Sequence, residues 1–144
     1  MRSVLAAIMI AAIPSLALAQ QPQFLQLNPT SPGPFSSAVR AGNTLYLAGQ
    51  IGTARDGKLV PGGIGPETKQ TLANIKETLE KFGSDMEHVV KCTVFLADFK
   101  EWGAMNEVYR TMFSPGKLPA RSAFGATGLA LDARTEIECI GVVK

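Results

Sequence analysis

The sequence predicts an α+β domain, a two-layer sandwich in which a mixed six-stranded sheet carries two helices on one face. Three observations carry this expectation. Residues 67–82, and the segment between Asp98 and Ser114, repeat apolar side chains at helical spacing. Several other stretches alternate with the two-residue period of a strand. The order along the chain is strand–strand–helix–strand–helix–strand–strand.

Met1 to Ala19 reads as a secretory signal peptide: Arg2 supplies the positive start, Val4 to Ile13 the apolar region, and Ala17-Leu18-Ala19 the small-x-small cleavage pattern. The apolar run is too short to span a bilayer. Cleavage after Ala19 leaves 144 − 19 = 125 residues, a length that suits one domain over 20–144. The expected protein is periplasmic or secreted, with no membrane contact once the leader is removed. An uncleaved N-terminal anchor is the alternative.

Gln20 to Pro34 is rich in Pro, Gln and Asn and reads as an irregular arm. Ser37 to Arg40, the turn Ala41-Gly42-Asn43, and Thr44 to Ile51 read as a hairpin. Gly49 inside its second strand points either to a bulge or to close approach of another backbone or a ligand. The glycine-rich stretch 52–65 holds at most a short strand near Lys58-Leu59-Val60, and it lacks the Gly/Lys/Ser pattern of a phosphate loop.

The first helix runs from Glu67 to Phe82. Pro66 sits at its first turn, Leu72, Ile75, Leu79 and Phe82 form its buried stripe, and Gly83 ends it. Val89 to Ala97 is a core strand. Asp98 caps the second helix, with Glu101 as capping-box partner and Trp102, Met105, Tyr109 and Met112 as its apolar stripe. Ser122 to Ala126 and Thr135 to Val143 are the last strands. On the latter, Ile137, Cys139, Gly141 and Val143 share one face, and Glu136, Glu138, Ile140 and Val142 the other. Two layers leave the far face of the sheet uncovered. Its outward Ala48, Thr93, Phe95, Ile140 and Val142 are too apolar for water and mark an interface.

Composition excludes several functions. Fourteen Lys+Arg against twelve Asp+Glu give a formal charge of only +2, with no basic run and no interleaved aromatics, so a nucleic-acid partner is not expected. His88 is the single histidine; it cannot build a metal site alone, and no arrangement in the sequence supports a Ser/His/Asp triad. Cys92 and Cys139 each lie within a strand and read as buried small hydrophobes, with a bridge as the less favoured alternative. What remains is an arginine and a carboxylate. Pro119 stiffens the approach to Arg121, whose planar fork suits a carboxylate, and Glu136 lies on a half-apolar strand face. A structural Arg–Glu ion pair at a sheet edge is the plainer reading of the same residues.

Pro119-Ala120-Arg121-Ser122 and Thr135-Glu136-Ile137-Glu138 resemble the C-terminal signature of the RidA family (YjgF-like, reactive intermediate deaminases). Gly33-Pro34-Phe35-Ser36, Ala48-Gly49-Gln50-Ile51, Val90 to Leu96 and Asn106-Glu107-Val108-Tyr109 resemble its other blocks in the right order, over about residues 28–143. The resemblance implies a chorismate-mutase-like fold and a homotrimer whose sheets form an inner barrel, with ligand clefts between subunits. It also implies hydrolysis of small 2-imino or enamine acids to 2-keto acids and ammonia, with no cofactor and no metal. Carried over by position, Arg121 holds the substrate carboxylate and Glu136 orients the water and moves its proton. Gly49 and Ala123 supply backbone contacts, and Asn106 and Phe35 line the cleft. This chain departs from the pattern at Phe35, where Tyr is usual, at Ala48, where Ser is usual, and at Ala123, where Cys is common. A second class stays open: an exported trimer that binds small carboxylates, or shields exposed protein surfaces, without catalysis. A ribonuclease role lacks both a basic patch and a general-base histidine.

Overall fold

The structure is a computed structural model that describes residues 20–30 and 33–144. The expected leader lies outside the described residues. The elements are β1 (Gln23–Leu25), β2 (Ala38–Ala41), β3 (Thr44–Leu47), β4 (Gln50–Ile51), α1 (Ile64–Lys81), β5 (Val89–Leu96), α2 (Trp102–Thr111), β6 (Ala120–Gly125) and β7 (Thr135–Val142). They form one sheet of order β1-β2-β3-β7-β5-β6, with β4 also paired to β7. Every pairing is antiparallel except β5 with β6, whose crossover is α2.

The α+β class expected from the periodicity therefore holds, with both helices packed on one sheet face. Leu72, Ile75 and Leu79 of α1 meet Leu45, Val94 and Ile137 of the sheet in a single core. The strand β7 sorts its side chains as its period predicts: Ile137, Cys139 and Gly141 are buried, and Glu136, Ile140 and Val142 are half-buried on the other face. A Cβ at Gly141 would come within 2.9 Å of Leu79, so glycine lets α1 settle closely on the sheet.

The sheet has seven strands rather than six. The arm contributes β1, which pairs with β2, whereas Lys58–Val60 forms only an isolated bridge from Leu59 to Thr53. The expected strand over Thr44–Ile51 is split at Ala48-Gly49. Tyr46 faces Ile140 but Gln50 faces Ile137, so four steps on one strand match three on β7. This is a β-bulge.

The first helix begins at Ile64, three residues earlier than expected, and Gly83 ends it at φ 85°. Asp98 caps as expected, its carboxylate accepting from Lys100 N at 2.9 Å, but it opens a short 3₁₀ turn that leads into α2. Glu101 does not close a capping box, because its carboxylate is taken by the Arg134 guanidinium. Met105 and Tyr109 are buried as expected, while Trp102 stays 40% exposed.

The reading of the two cysteines as separate hydrophobes is overturned. Cys92 and Cys139 are directly opposed on β5 and β7 and form a disulfide. The pairing follows from strand register: β5 and β7 align their inward residues one for one, so both sulfurs occupy the same point of the core.

Among the described residues, none forms a covering layer on the opposite face of the sheet. Phe24, Tyr46 and Phe124 are exposed there, and the Phe95 and Phe124 rings stack at 6.2 Å.

Candidate functional site: a cationic cavity and a separate carboxylate

Arg121 is the second residue of β6, directly after the rigid Pro119-Ala120 approach. Its partner in register is the inward-facing Cys92, which turns its side chain toward the helical layer. There the guanidinium carbon lies 4.5 Å from the centroid of the Tyr109 ring and 5.7 Å from that of Trp102. Two aromatic rings of α2 thus fix the plane of the fork and leave its N–H edge for a ligand. Tyr109 is buried, its hydroxyl has no partner among the described residues, and burial pushes its pKa up to about 12.

Arg121 and Tyr109 line a cavity of about 210 Å³ together with Asn106, Arg110, Leu118 and Pro119. The lining holds two arginines and no acid. Among the described residues no carboxylate lies within ion-pair distance of Arg121. A cleft with fixed positive charge and an aromatic floor favours a small anion, and the guanidinium geometry favours a carboxylate. Ala123, two residues further along β6, lies on the same side and packs against the core.

Glu136 lies elsewhere. It pairs in register with Ile51 on one side and Phe95 on the other, so its side chain is on the uncovered face. It presses on Gly49: a Cβ there would stand 2.1 Å from Glu136 Oε1. The bulge reading of Gly49 holds, and the group that approaches it is the Glu136 side chain rather than another backbone or a ligand. The segment carrying Phe35 runs beside it, with Ser37 O accepting from Ala48 N at 3.1 Å, and Phe35 itself is exposed.

The expected site residues thus fall into two groups. Arg121, Asn106 and Ala123 sit on the helix side of edge strand β6. Phe35, Gly49 and Glu136 sit around the bulge, with Glu136 on the uncovered face. Arg121 and Glu136 are two strands apart and three residues out of step, roughly 10 Å across and roughly 10 Å along the sheet. The alternative of an Arg121–Glu136 ion pair within one chain is excluded by this geometry.

Sequence reasoning missed the aromatic stack on Arg121. Helical spacing puts Trp102 and Tyr109 in an apolar stripe, and only the half-exposed position of Trp102 reveals its second role. It also missed Glu67, which it reads only as the start of the first helix. The Glu67 carboxylate is buried and accepts from Arg134 N at 2.8 Å, which fixes the entry to β7 two residues before Glu136. His88 lines neither group. Its Nδ1 lies 2.6 Å from Asp85, whose other oxygen takes Lys144 Nζ at 2.7 Å. The Lys144 and then the His88 contact hold the Asp85 carboxyl well below the usual carboxylate range. Among the described residues no cluster of His, Cys, Asp and Glu has the makings of a metal site.

The fold is a half-covered α+β sheet whose edge strand carries an arginine stacked on two aromatic rings. The chain belongs to the family described as Endoribonuclease L-PSP, the RidA/YjgF family, whose model matches residues 26–143. It is 46% identical over 115 residues to a mouse protein named 2-iminobutanoate/2-iminopropanoate deaminase, covering 79% of this chain and 84% of that one. The human protein of the same name is 41% identical over 115 residues, with 79% and 83% covered. Among solved structures, yeast Mmf1 superposes with a TM-score of 0.79 at 35% identity, covering 86% of this chain and all of that one. RidA from the Antarctic bacterium Psychrobacter gives 0.76 at 33% identity, with 84% and 99% covered.

Proposed function

We propose that this protein hydrolyses small 2-imino acids to 2-keto acids and ammonia, at a cleft completed by a second copy of the chain. The observation that carries the proposal is the acid-free cavity lined by Arg121, whose fork stacks on Tyr109 inside it and on Trp102 beside it. The deaminase relatives support the substrate class. Arg121 holds the carboxylate through two parallel hydrogen bonds, which places the adjacent imine carbon. Glu136 from the neighbouring copy accepts a proton as water adds to that carbon, and the proton passes to the nitrogen. The hydroxyl of the resulting carbinolamine then gives its proton to the nitrogen as the C–N bond breaks, so that ammonia leaves and the C=O bond forms. No cofactor enters these steps.

The assembly part of the proposal is a homotrimer. It is supported by the uncovered apolar sheet face and by the separation of the two residue groups in one chain. Export through the N-terminal leader is the location proposed. The Cys92–Cys139 disulfide supports it, because such bonds persist in oxidising compartments.

The test supplies purified protein with an amino-acid oxidase that generates 2-imino acid in situ and follows keto-acid formation. The expected result is a rate above the uncatalysed hydrolysis; an equal rate overturns the enzyme reading. A second reading, a non-catalytic carboxylate binder, is favoured by Phe35, Ala48 and Ala123, which carry no hydroxyl or thiol. It predicts Arg121-dependent carboxylate binding without acceleration.

A further inference from the structure

Of the two arginines that line the cavity, the steps proposed above use only Arg121. The other, Arg110, stands one helical turn after Asn106, so both project from the same face of α2. Among the described residues no carboxylate lies within ion-pair distance of Arg110. The neighbouring cations are engaged elsewhere: Lys117, beside Leu118, pairs with Glu87 at 2.7 Å, and Arg134 pairs with Glu101. Arg110 is exposed where Arg121 is half-buried, so it is the outer of the two charges. The remaining walls, Leu118, Pro119 and the Tyr109 ring, are apolar and concentrate the field of both guanidinium groups in the cavity.

We infer that Arg110 is a capture residue: its charge draws the substrate carboxylate into the cavity, where the fork of Arg121 takes it over. The inference rests on the reading of Arg121 as the carboxylate anchor, and it is indifferent to the size of the substrate side chain. Attraction of this kind raises both the association rate and the affinity, and it needs a charge rather than a shaped edge. The chemistry of the substrate gives it a use. A 2-imino acid hydrolyses in water unaided, so an enzyme acts on it only by meeting it first. Capture at low concentration, expressed in kcat/KM, then matters more than turnover at saturation. A cation in the last turn of α2 also complements the helix dipole. That role bears on the stability of the helix and does not respond to the charge of a ligand.

The test titrates intact protein with 2-oxobutanoate and reads binding from the fluorescence of Trp102, the single tryptophan, whose ring lies 5.7 Å from the Arg121 guanidinium. Wild type, Arg110→Gln and Arg110→Lys are compared at about 0.01 M and about 0.5 M ionic strength. At the lower ionic strength Arg110→Gln is expected to bind about threefold more weakly than wild type, and Arg110→Lys within about 1.5-fold of it. At the higher one the three are expected to converge, because the attraction is screened. In 2-imino acid hydrolysis the same salt-dependent gap is expected in kcat/KM and not in kcat. A gap undiminished at high ionic strength, Arg110→Lys as weak as Arg110→Gln, Arg110→Gln equal to wild type at both ionic strengths, a loss confined to kcat, or no saturable response in wild type would each overturn the inference. Failure of the deaminase reading looks different: the salt-dependent gap in 2-oxobutanoate affinity holds while imino acids hydrolyse at the uncatalysed rate.

Discussion

Arg121 does its work as a shaped group. A lysine at this position supplies the charge but not the two-pronged edge, and it stacks less well on Tyr109 and Trp102. Arg121→Lys is therefore expected to behave almost as badly as Arg121→Ala, which should lose about 2–5 kcal/mol of ligand binding, read by Trp102 fluorescence. Near wild-type affinity in Arg121→Lys would contradict the two-pronged grip. Gly49 gives a second test at this scale. The methyl of Gly49→Ala would collide with Glu136 Oε1, at 2.1 Å, so the carboxylate must swing away. Turnover is expected to fall at least tenfold while carboxylate affinity, set by Arg121, stays within about threefold. A parallel loss of both would place Glu136 in the binding step. These residues were legible in the sequence because their types are chemically specific: a fork donor after a stiff proline, and carboxylates on a strand otherwise built for a core. The stack on Arg121 was not legible, since helical spacing cannot tell a half-exposed Trp102 from a buried one.

At the scale of elements, the helices and the faces of β7 followed from periodicity alone, with Leu72, Ile75 and Leu79 against Ile137, Cys139 and Gly141. Register did not, because it is decided between strands. That is why a reading of single segments left the bulge at Gly49 as one of two alternatives and ranked the bridge between Cys92 and Cys139 as the less favoured one. The disulfide closes a loop of sequence separation 47. On chain-entropy grounds its loss should lower stability by about 2–4 kcal/mol. Denaturant melts of the Cys92→Ala, Cys139→Ala double variant check this, and an unchanged midpoint would show that packing alone holds β5 to β7. The Asp85 cluster ties the C-terminal Lys144 to the turn before β5. Its carboxyl pKa is depressed in the folded state, so its contribution is fully present above the ordinary carboxylate pKa near 4 and is lost as the pH falls through the lower folded value. Melting temperature should accordingly drop less steeply below pH 4 in Asp85→Asn than in the wild type. Superimposable acid limbs would show that the cluster carries no such linkage.

The whole molecule is a single layered sheet with one face covered, and that asymmetry sets the proposed assembly. Exposed Phe24, Tyr46 and Phe124 on the bare face are expected to be buried against other copies. Light scattering of the mature chain should give about three times the monomer mass, little changed by salt, because the buried surface is apolar. A monodisperse monomer at micromolar concentration would leave Arg121 and Glu136 on separate faces with no shared substrate. The sequence pointed to an uncovered apolar face, and so to an interface. It did not reveal that the bare face separates the two halves of the site, because that depends on which strand sits at the sheet edge.

The central claim is that each site takes Arg121 from one copy and Glu136 from another, and a mixing experiment tests it directly. Arg121→Ala and Glu136→Gln proteins are assayed separately for 2-imino acid hydrolysis, then co-refolded in equal amounts and assayed again. In a mixed trimer, a Glu136→Gln subunit still offers its Arg121 to a neighbour whose Glu136 is intact, so one wild-type cleft forms. The account predicts two nearly inactive proteins and recovery of a substantial fraction of wild-type activity on mixing. Activity that stays at the level of the separate variants, in samples shown to contain mixed trimers, would contradict a site shared between copies.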